Sequence, residues 1–519
     1  MSWGFEVLGN LTTSIVNLAG NVSLHGIEGF FSVPELTSWR VTPDNPVRYT
    51  GSLDVERCAA LHNEILWHGW NKSGGRPEDF PGVNWYEQYR DDGAGDSRKR
   101  FSAPLAAFLD KALSTSNVAH SFFYHLSGLN APSYMWDNHE WYQDDPDKYR
   151  YLTLYLAHSM ASHPDGLVYD QREHKAIMQM SIHDRDVAMN GRQEWLPLEV
   201  ILTGWLDMLD VGKVQAVPDD VEWQPWIMVP YSQKQLDATV AAFDRLVDAI
   251  ESRMPNYQGP SVAESQHVLS ASEEVLFQPV LSVDDVEAAG IKPGFAHSFL
   301  TKAKRPGFRY IAPGLAIPTP ETLKLQPFAD IKRPRDSWLP EDEEMPDEPY
   351  PLLIFSSSEN YETWRDPPRH PKFPDSDRPF SYPYHQLPSF SAGLYFSPTH
   401  GGPFDFEDGV KLVLPEPIGA FGYARKADGS RFGENIADAT ALGGYGRRGG
   451  TFSDLFQLGY NPYAEMHDVQ LEQVLDAWCG LVESGEWMIG EDGVEDTIQK
   501  FKDADTRSKW NKYVVPIKW

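Results

Sequence analysis

The sequence predicts an α+β fold: a mainly helical unit over residues 1–255, then a strand- and loop-rich unit over 256–519 that ends in helices. Three observations lead there. A chain of 519 residues is too long for one hydrophobic core. Apolar residues recur at helical spacing in several stretches before Pro255 and again near the C-terminus. Between them, after the turn-forming run Pro255-Asn256-Tyr257-Gln258-Gly259-Pro260, the texture changes to short β-like runs broken by proline and glycine.

Residues 1–50 read as short extended pieces and turns. In SLDVERCAALHNEILWHGW, Ser52 is a cap, and Val55, Cys58, Leu61 and Ile65 recur at helical spacing. His62 and His68 sit on or beside that apolar face and read as core or rim histidines. Ser102 opens a second helix carrying Leu105, Phe108, Leu109 and Ala112. Asp145-Pro146 predicts a third, running to about Met160, with Tyr149, Leu152, Leu156 and Met160 on one face. From Leu167 to Asp186 both periods are present, and a helix passing into a short strand is expected. Leu198, Ile201, Leu202, Trp205 and Leu209 form a helix entered through Pro197. The strongest helix follows a Ser232/Gln235 capping box. Its stripe is Leu236, Val240, Phe243, Val247, Ile250 and Met254, and packing against the N-terminal helices is expected.

Beyond Pro260 the β-like runs are Val275–Phe277, Phe308–Ile311, Leu352–Phe355, Leu394–Phe396 and Val410–Leu414. The acidic, proline-rich stretch 332–388 carries many aromatics and reads as an ordered loop packed on the body. Asp468 is expected to cap a helix through Leu471, Val474, Leu475, Trp478 and Leu481, closed by Gly485; a shorter helix carries Val494, Ile498 and Phe501.

A net charge of −30 disfavours nucleic acid, whose phosphates need clustered cations, and disfavours anionic lipid. No run of 18 apolar residues exists, so no membrane span is expected. Two cysteines in opposite halves, Cys58 and Cys479, suit a reducing compartment. The opening MSWGFEVLGNLTTSIVNLAG lacks the basic and apolar regions of a secretory signal, and a cytoplasmic location is expected. Aromatics make up 13% of the chain, enough to build cores, interfaces or pocket walls.

The tail GEWMIGEDGVEDTIQKFKDADTRSKWNKYVVPIKW and the segment EWLPLEVILTGWLDMLDVGKV resemble long cytosolic proteins of filamentous fungi. The resemblance covers about a fifth of the chain and carries no diagnostic motif; it implies a fungal origin and nothing about chemistry.

Chemistry-bearing residues concentrate between Trp136 and Asp186. Asp170 and His174, four apart, share a face if helical, and a carboxylate beside an imidazole raises its pKa and fixes its tautomer. With His183 they form the candidate catalytic set. His183, Asp184 and Asp186 offer imidazole and carboxylate donors to a divalent metal. Asn138-His139-Glu140, between Trp136 and Trp141, reads as an aromatic-rimmed polar loop. Ser356-Ser357-Ser358 follows an apolar run without the Gly-x-Ser-x-Gly frame of a hydrolase nucleophile. In the basic, glycine-rich run 443–451, Arg447, Arg448 and the amide of Gly449 suit a phosphate or carboxylate.

Two functions remain open on these residues. The first is an intracellular enzyme, a hydrolase or transferase, acting on a small polar molecule by histidine and carboxylate acid–base or metal-assisted chemistry. The second is a non-catalytic scaffold, self-assembling into a homo-oligomer through aromatic-rich interfaces. One deep pocket would favour the enzyme and one large exposed apolar face the scaffold.

Overall fold

The structure, a computed structural model, describes residues 39–80, 82–114, 121–136, 149–158, 165–179, 195–218, 225–256, 278–332, 349–362, 379–380, 383–397, 407–427, 429, 431–432, 452–457 and 468–515. It is a mixed α+β chain of two compact units, divided between Met228 and Val229 rather than at residue 255. No helix among the described residues is long and apolar enough to cross a membrane.

In the first unit, helix α1 (Val55–Lys72) starts where Asp54 accepts from the Arg57 N–H, two residues later than Ser52. One face buries Cys58, Leu61, His62 and Ile65. Arg57 is fully buried on α1 and donates to the carbonyls of Trp39, Arg40, Asn45 and Pro46, which straps residues 39–46 to the helix. Strand β1 (Val83–Asn84) pairs with β2 (Leu113–Ser114), which follows helix α2 (Ala103–Lys111). The centre is an antiparallel five-stranded meander: β3 (Leu126–Leu129), β4 (Tyr151–Ala157), β5 (Gly166–Asp170), β6 (Lys175–Gln179) and β7 (Leu196–Pro197). Helix α3 (Leu198–Asp210) follows, and its Trp205 packs on Phe123 and Tyr155. A small hairpin, β8 (Val214–Ala216) with β9 (Trp226–Met228), ends the unit.

The meander corrects two sequence expectations. Residues 151–157 form strand β4, not part of a helix, and 166–179 form a hairpin, not a helix passing into a strand. The reason is burial. Strand β5 is buried at every position and β4 at most of them, so neither face is polar and the apolar pattern has no diagnostic period. The Tyr- and Thr-bearing run YLTLYLA then follows its strand preference.

In the second unit, helix α4 (Gln233–Glu251) starts at the Ser232/Gln235 capping box, with both reciprocal bonds made. The whole predicted stripe lies in one core, shared with Val474, Leu475 and Trp478 of helix α6 (Leu471–Glu483) and with helix α5 (Phe295–Lys302). Phe243 meets Phe299 edge to face, and Arg245 pairs with Asp476 at 2.6 Å. α4 therefore packs within its own unit, and the division falls ahead of it, at Val229.

The sheet of this unit contains β10 (Tyr310–Ala312), β11 (Leu315–Ala316), β12 (Leu352–Glu362), β13 (Ser389–Phe396), β14 (Gly409–Ile418), β15 (Phe452–Asp454), β16 (Val469–Gln470), β17 (Ile489–Gly490) and β18 (Gly493–Val494). The spatial order is β15-β14-β13-β12-β11-β10-β18-β17, with β16 also on β14; among the described residues only the β10–β18 pairing is parallel. Four predicted β-like runs fall on β10, β12, β13 and β14, and Val275–Phe277 lies outside the described residues. From the 332–388 stretch, Tyr361, Phe380 and Tyr384 pack with Phe328, Phe390 and Tyr395 in a second core. At the C-terminal end, Gly485 takes φ 71 just past α6, and the run through Ile498 and Phe501 is a 3₁₀ segment, Ile498–Asp505. Asp505 is buried there, and its carboxylate accepts from the N–H groups of Gly419, Phe421, Tyr423 and Ala424, which pins that loop.

Candidate active site

The structure places Asp170 just before the β5–β6 turn, residues 171–174, and His174 as its last residue. Asp170 accepts from the Arg150 guanidinium at 2.7 and 3.0 Å and from the N–H groups of Arg172 and Glu173, so it locks the turn. His174 adopts a left-handed φ of 54°, and its Nδ1 lies 3.0 Å from the Tyr169 hydroxyl. Burial lowers the His174 pKa and outweighs the opposing pull of Asp170 and Glu173. That reverses the raised imidazole pKa expected for a general base. The carboxylate of Asp170 is engaged by its own turn and by Arg150.

His183, Asp184 and Asp186 lie outside the described residues, as do Arg447, Arg448, Gly449 and Asn138-His139-Glu140. No group of three metal-ligating side chains occurs among the described residues. His62 is a satisfied core histidine: Nδ1 is 2.8 Å from the Tyr155 hydroxyl and Nε2 is 2.7 Å from the Leu113 carbonyl. Burial pulls its pKa down to about 4. Ser356, Ser357 and Ser358 sit inside β12, not at a strand end, and the Ser357 hydroxyl accepts from the Glu359 N–H.

A different constellation stands in the second unit. Lys411 lies on β14 opposite Tyr395, Asp454 ends β15 opposite Val413, Asp468 precedes β16, and Ser397 follows β13. Lys411 Nζ is 2.9 Å from Asp468 Oδ1 and 3.6 Å from Asp454 Oδ2. Ser397 Oγ donates to Asp468 Oδ2. Gly409 permits the approach of this segment: a Cβ there would lie 3.0 Å from the Asp468 Cβ. Asp468 is thus spent on this cluster and does not cap α6, whose first residue follows the β16 pairing.

The electrostatics separate the roles. Burial pushes the Asp454 carboxyl up to about 7, with Asp468 adding to the shift and Lys411 and the Phe456 N–H opposing it. Burial alone would lower the Lys411 pKa, but the two carboxylates outweigh it, so the ammonium is held charged. One cation between two carboxylates leaves one negative charge uncompensated, and Asp454 takes a proton near neutral pH to cancel it. The arrangement offers a proton donor, a fixed cation, a second carboxyl group and a hydroxyl. Sequence reasoning took Lys411 as part of a β-run and Asp468 as a cap. The available signal was a lysine inside the apolar run Gly409-Val410-Lys411-Leu412-Val413-Leu414, since a strand lysine among such neighbours needs a buried counter-charge. No protein-family model matches the chain, and neither a curated protein nor a solved structure matches it.

Proposed function

We propose that the protein is an enzyme, a hydrolase or transferase, that moves protons on a small polar substrate at the Ser397–Lys411–Asp454–Asp468 cluster. The observation that carries this reading is a buried carboxyl poised at about 7 beside a fixed cation. Protonated Asp454 gives its proton to the substrate atom that gains negative charge, and Lys411 stabilises that charge. Ser397 attacks the reacting carbon or phosphorus as its hydroxyl proton passes to Asp468, and the bond to the leaving group breaks as Asp454 gives that group its proton. The rival scaffold reading needs aromatics on the surface. Among the described residues most large aromatics are buried in cores, and the exposed ones, Tyr49, Tyr134 and Phe421, are separated in sequence. Cys58 and Cys479 are both free and buried, which supports a reducing compartment such as the cytosol.

The test is a thermal-shift screen of small polar metabolites against the wild type, Ser397→Ala and Asp454→Asn, followed by turnover assays on any stabilising compound. The expected result is a substrate whose kcat falls by about 10²–10⁴ in Asp454→Asn and whose pH profile has a limb near 7 in the wild type alone. Full turnover by Asp454→Asn would sink the reading.

A further inference from the structure

Where the Lys411 cluster is the active site, as proposed, we infer that its substrate is a neutral acyl compound, a carboxylic ester or amide, and that Gln470 is a further catalytic residue that holds the carbonyl oxygen of that substrate. The strand register brings Gln470 to the cluster. In the β13–β14 pair, Tyr395 faces Lys411 and Phe396 faces Val410, and the Ser397 N–H donates to the Gly409 carbonyl at 3.1 Å. On the other side of β14, Val410 pairs with Val469 and Gly409 with Gln470. Phe396, Val410 and Val469 lie in the large core shared with α4 and α6, whereas Tyr395 and Val413 lie in the second core. Successive side chains of a strand alternate between its faces, so Ser397, Lys411 and Gln470 project from the face opposite that large core. Gln470 therefore stands across Gly409 from Ser397, on the face that carries Lys411.

Gln470 is only 2% exposed, and its Nε2 makes no hydrogen bond among the described residues. A buried donor without an acceptor costs stability, so such a group needs a reason. The buried amide of Gln235, in the same unit, is spent on the fold: its Nε2 donates to Asp408 Oδ2 at 3.0 Å. Gln470 instead keeps an open N–H on the face of a serine hydroxyl and a lysine. A carbonyl oxygen that gains negative charge as its carbon is attacked supplies the missing acceptor, and side-chain amides serve this purpose in oxyanion sites. The neighbours also select the class of substrate. The Lys411 ammonium is shared by Asp468 at 2.9 Å and Asp454 at 3.6 Å, so its charge is committed before a phosphate dianion arrives. A neutral ester or amide brings no charge of its own, and charge develops on it only during the attack.

The steps balance. Ser397 Oγ bonds to the carbonyl carbon as its proton passes to Asp468, and the carbonyl electron pair moves onto the oxygen, where the Gln470 N–H meets it. The pair then returns, the bond from carbon to the leaving oxygen or nitrogen breaks, and Asp454 gives that atom its proton. Water completes the cycle: Asp454, now a carboxylate, takes a proton from a water molecule whose oxygen attacks the acyl carbon held on Ser397. Breakdown of that adduct returns the Asp468 proton to Ser397 Oγ and releases a carboxylic acid. Both aspartates end as they began, with one water consumed.

The experiment compares p-nitrophenyl acetate with p-nitrophenyl phosphate on the full-length chain, for the wild type, Gln470→Met and Asp454→Asn, with the urea midpoint of each protein measured alongside. Methionine is unbranched like glutamine and lacks the N–H. The wild type should release p-nitrophenol from the acetate and not from the phosphate. Gln470→Met should lower kcat by about 10²–10³ with KM unchanged. Its urea midpoint should equal or exceed that of the wild type, because a donor kept open for substrate has no fold contact to lose. Full acetate turnover by Gln470→Met alongside loss in Asp454→Asn overturns the role of Gln470 and leaves the cluster standing. Full turnover by both variants overturns the cluster itself, and the assignment of Gln470 with it. Turnover of the phosphate, or of neither probe, by the wild type overturns the acyl assignment. A Gln470→Met chain that unfolds at lower urea, or does not fold, marks the amide as structural and overturns the proposal.

Discussion

Asp170 and Asp454 are both buried carboxylates at strand ends, each beside one cation, and they do opposite things. Asp170 meets a guanidinium that touches both of its oxygens, together with two backbone N–H donors from its own turn. Asp454 has a single backbone N–H, a lysine at 3.6 Å and a second carboxylate competing for that lysine. The difference teaches that burial alone does not make a carboxyl reactive. What matters is how many donors commit to its charged form. A full donor set turns a buried aspartate into a pin, and a sparse, contested set leaves it with a proton to give.

The comparison breaks most visibly at the pin. Asp170→Asn leaves Arg150 beside a neutral amide in a site where the arginine side chain is only 17% exposed. Removing one partner of such a pair costs about 3–5 kcal/mol. Urea unfolding followed by tryptophan fluorescence should show a lower midpoint for the first unit, and an unchanged midpoint would mean that the pair is solvated.

The second effect is a pH dependence. The folded carboxyl of Asp454 titrates at about 7 against an ordinary 3.8, so the folded state holds this proton more tightly than the unfolded state. The stabilisation from that proton is fully present below pH 3.8 and is lost as pH rises through 7. Asp454→Asn, neutral at every pH, should lack this loss. Between those limits the wild type should fall relative to the variant by on the order of 4 kcal/mol. Parallel stability curves for the two proteins would mean that Asp454 titrates as a surface aspartate does.

A third test is the control for exposure. Arg98 and Asp110 form a two-bonded pair at 2.6 and 2.8 Å, with side chains 48% and 42% exposed. Arg98→Ala should cost less than about 1 kcal/mol, and the cost should shrink further in 1 M salt. A loss as large as that of Asp170→Asn would show that geometry, not burial, sets the strength of both pairs.

The parts of the fold that could be read from sequence are those with one wet face. α1, α4 and α6 alternate apolar and polar residues at helical spacing and carry end signals, the Ser232/Gln235 box and Gly485 among them. β4 and β5 could not be read in the same way, because a strand covered on both sides shows no period. The cluster around Lys411 was hidden for another reason. Its four residues come from four segments between 397 and 468, and only the pairing of β13, β14, β15 and β16 brings them together. Asp170 and His174 illustrate the converse: adjacency in sequence placed them at one turn, but the partners that decide their chemistry, Arg150 and Tyr169, sit on neighbouring strand positions.

Asp505 also has a consequence for the order in which the chain is built. The four N–H groups at positions 419–424 find their acceptor only in a residue made about eighty positions later. β10 waits still longer for its parallel partner at Gly493, and Arg245 of α4 is separated from Asp476 by 231 residues. A nascent chain therefore carries the second unit unclosed past the ribosome until residue 505 has emerged, whereas the β3–β7 meander is complete by residue 197. Premature termination inside the last helices releases a folded first unit joined to a second one with its sheet edge and loop amides unmet, a product suited to chaperones and proteases.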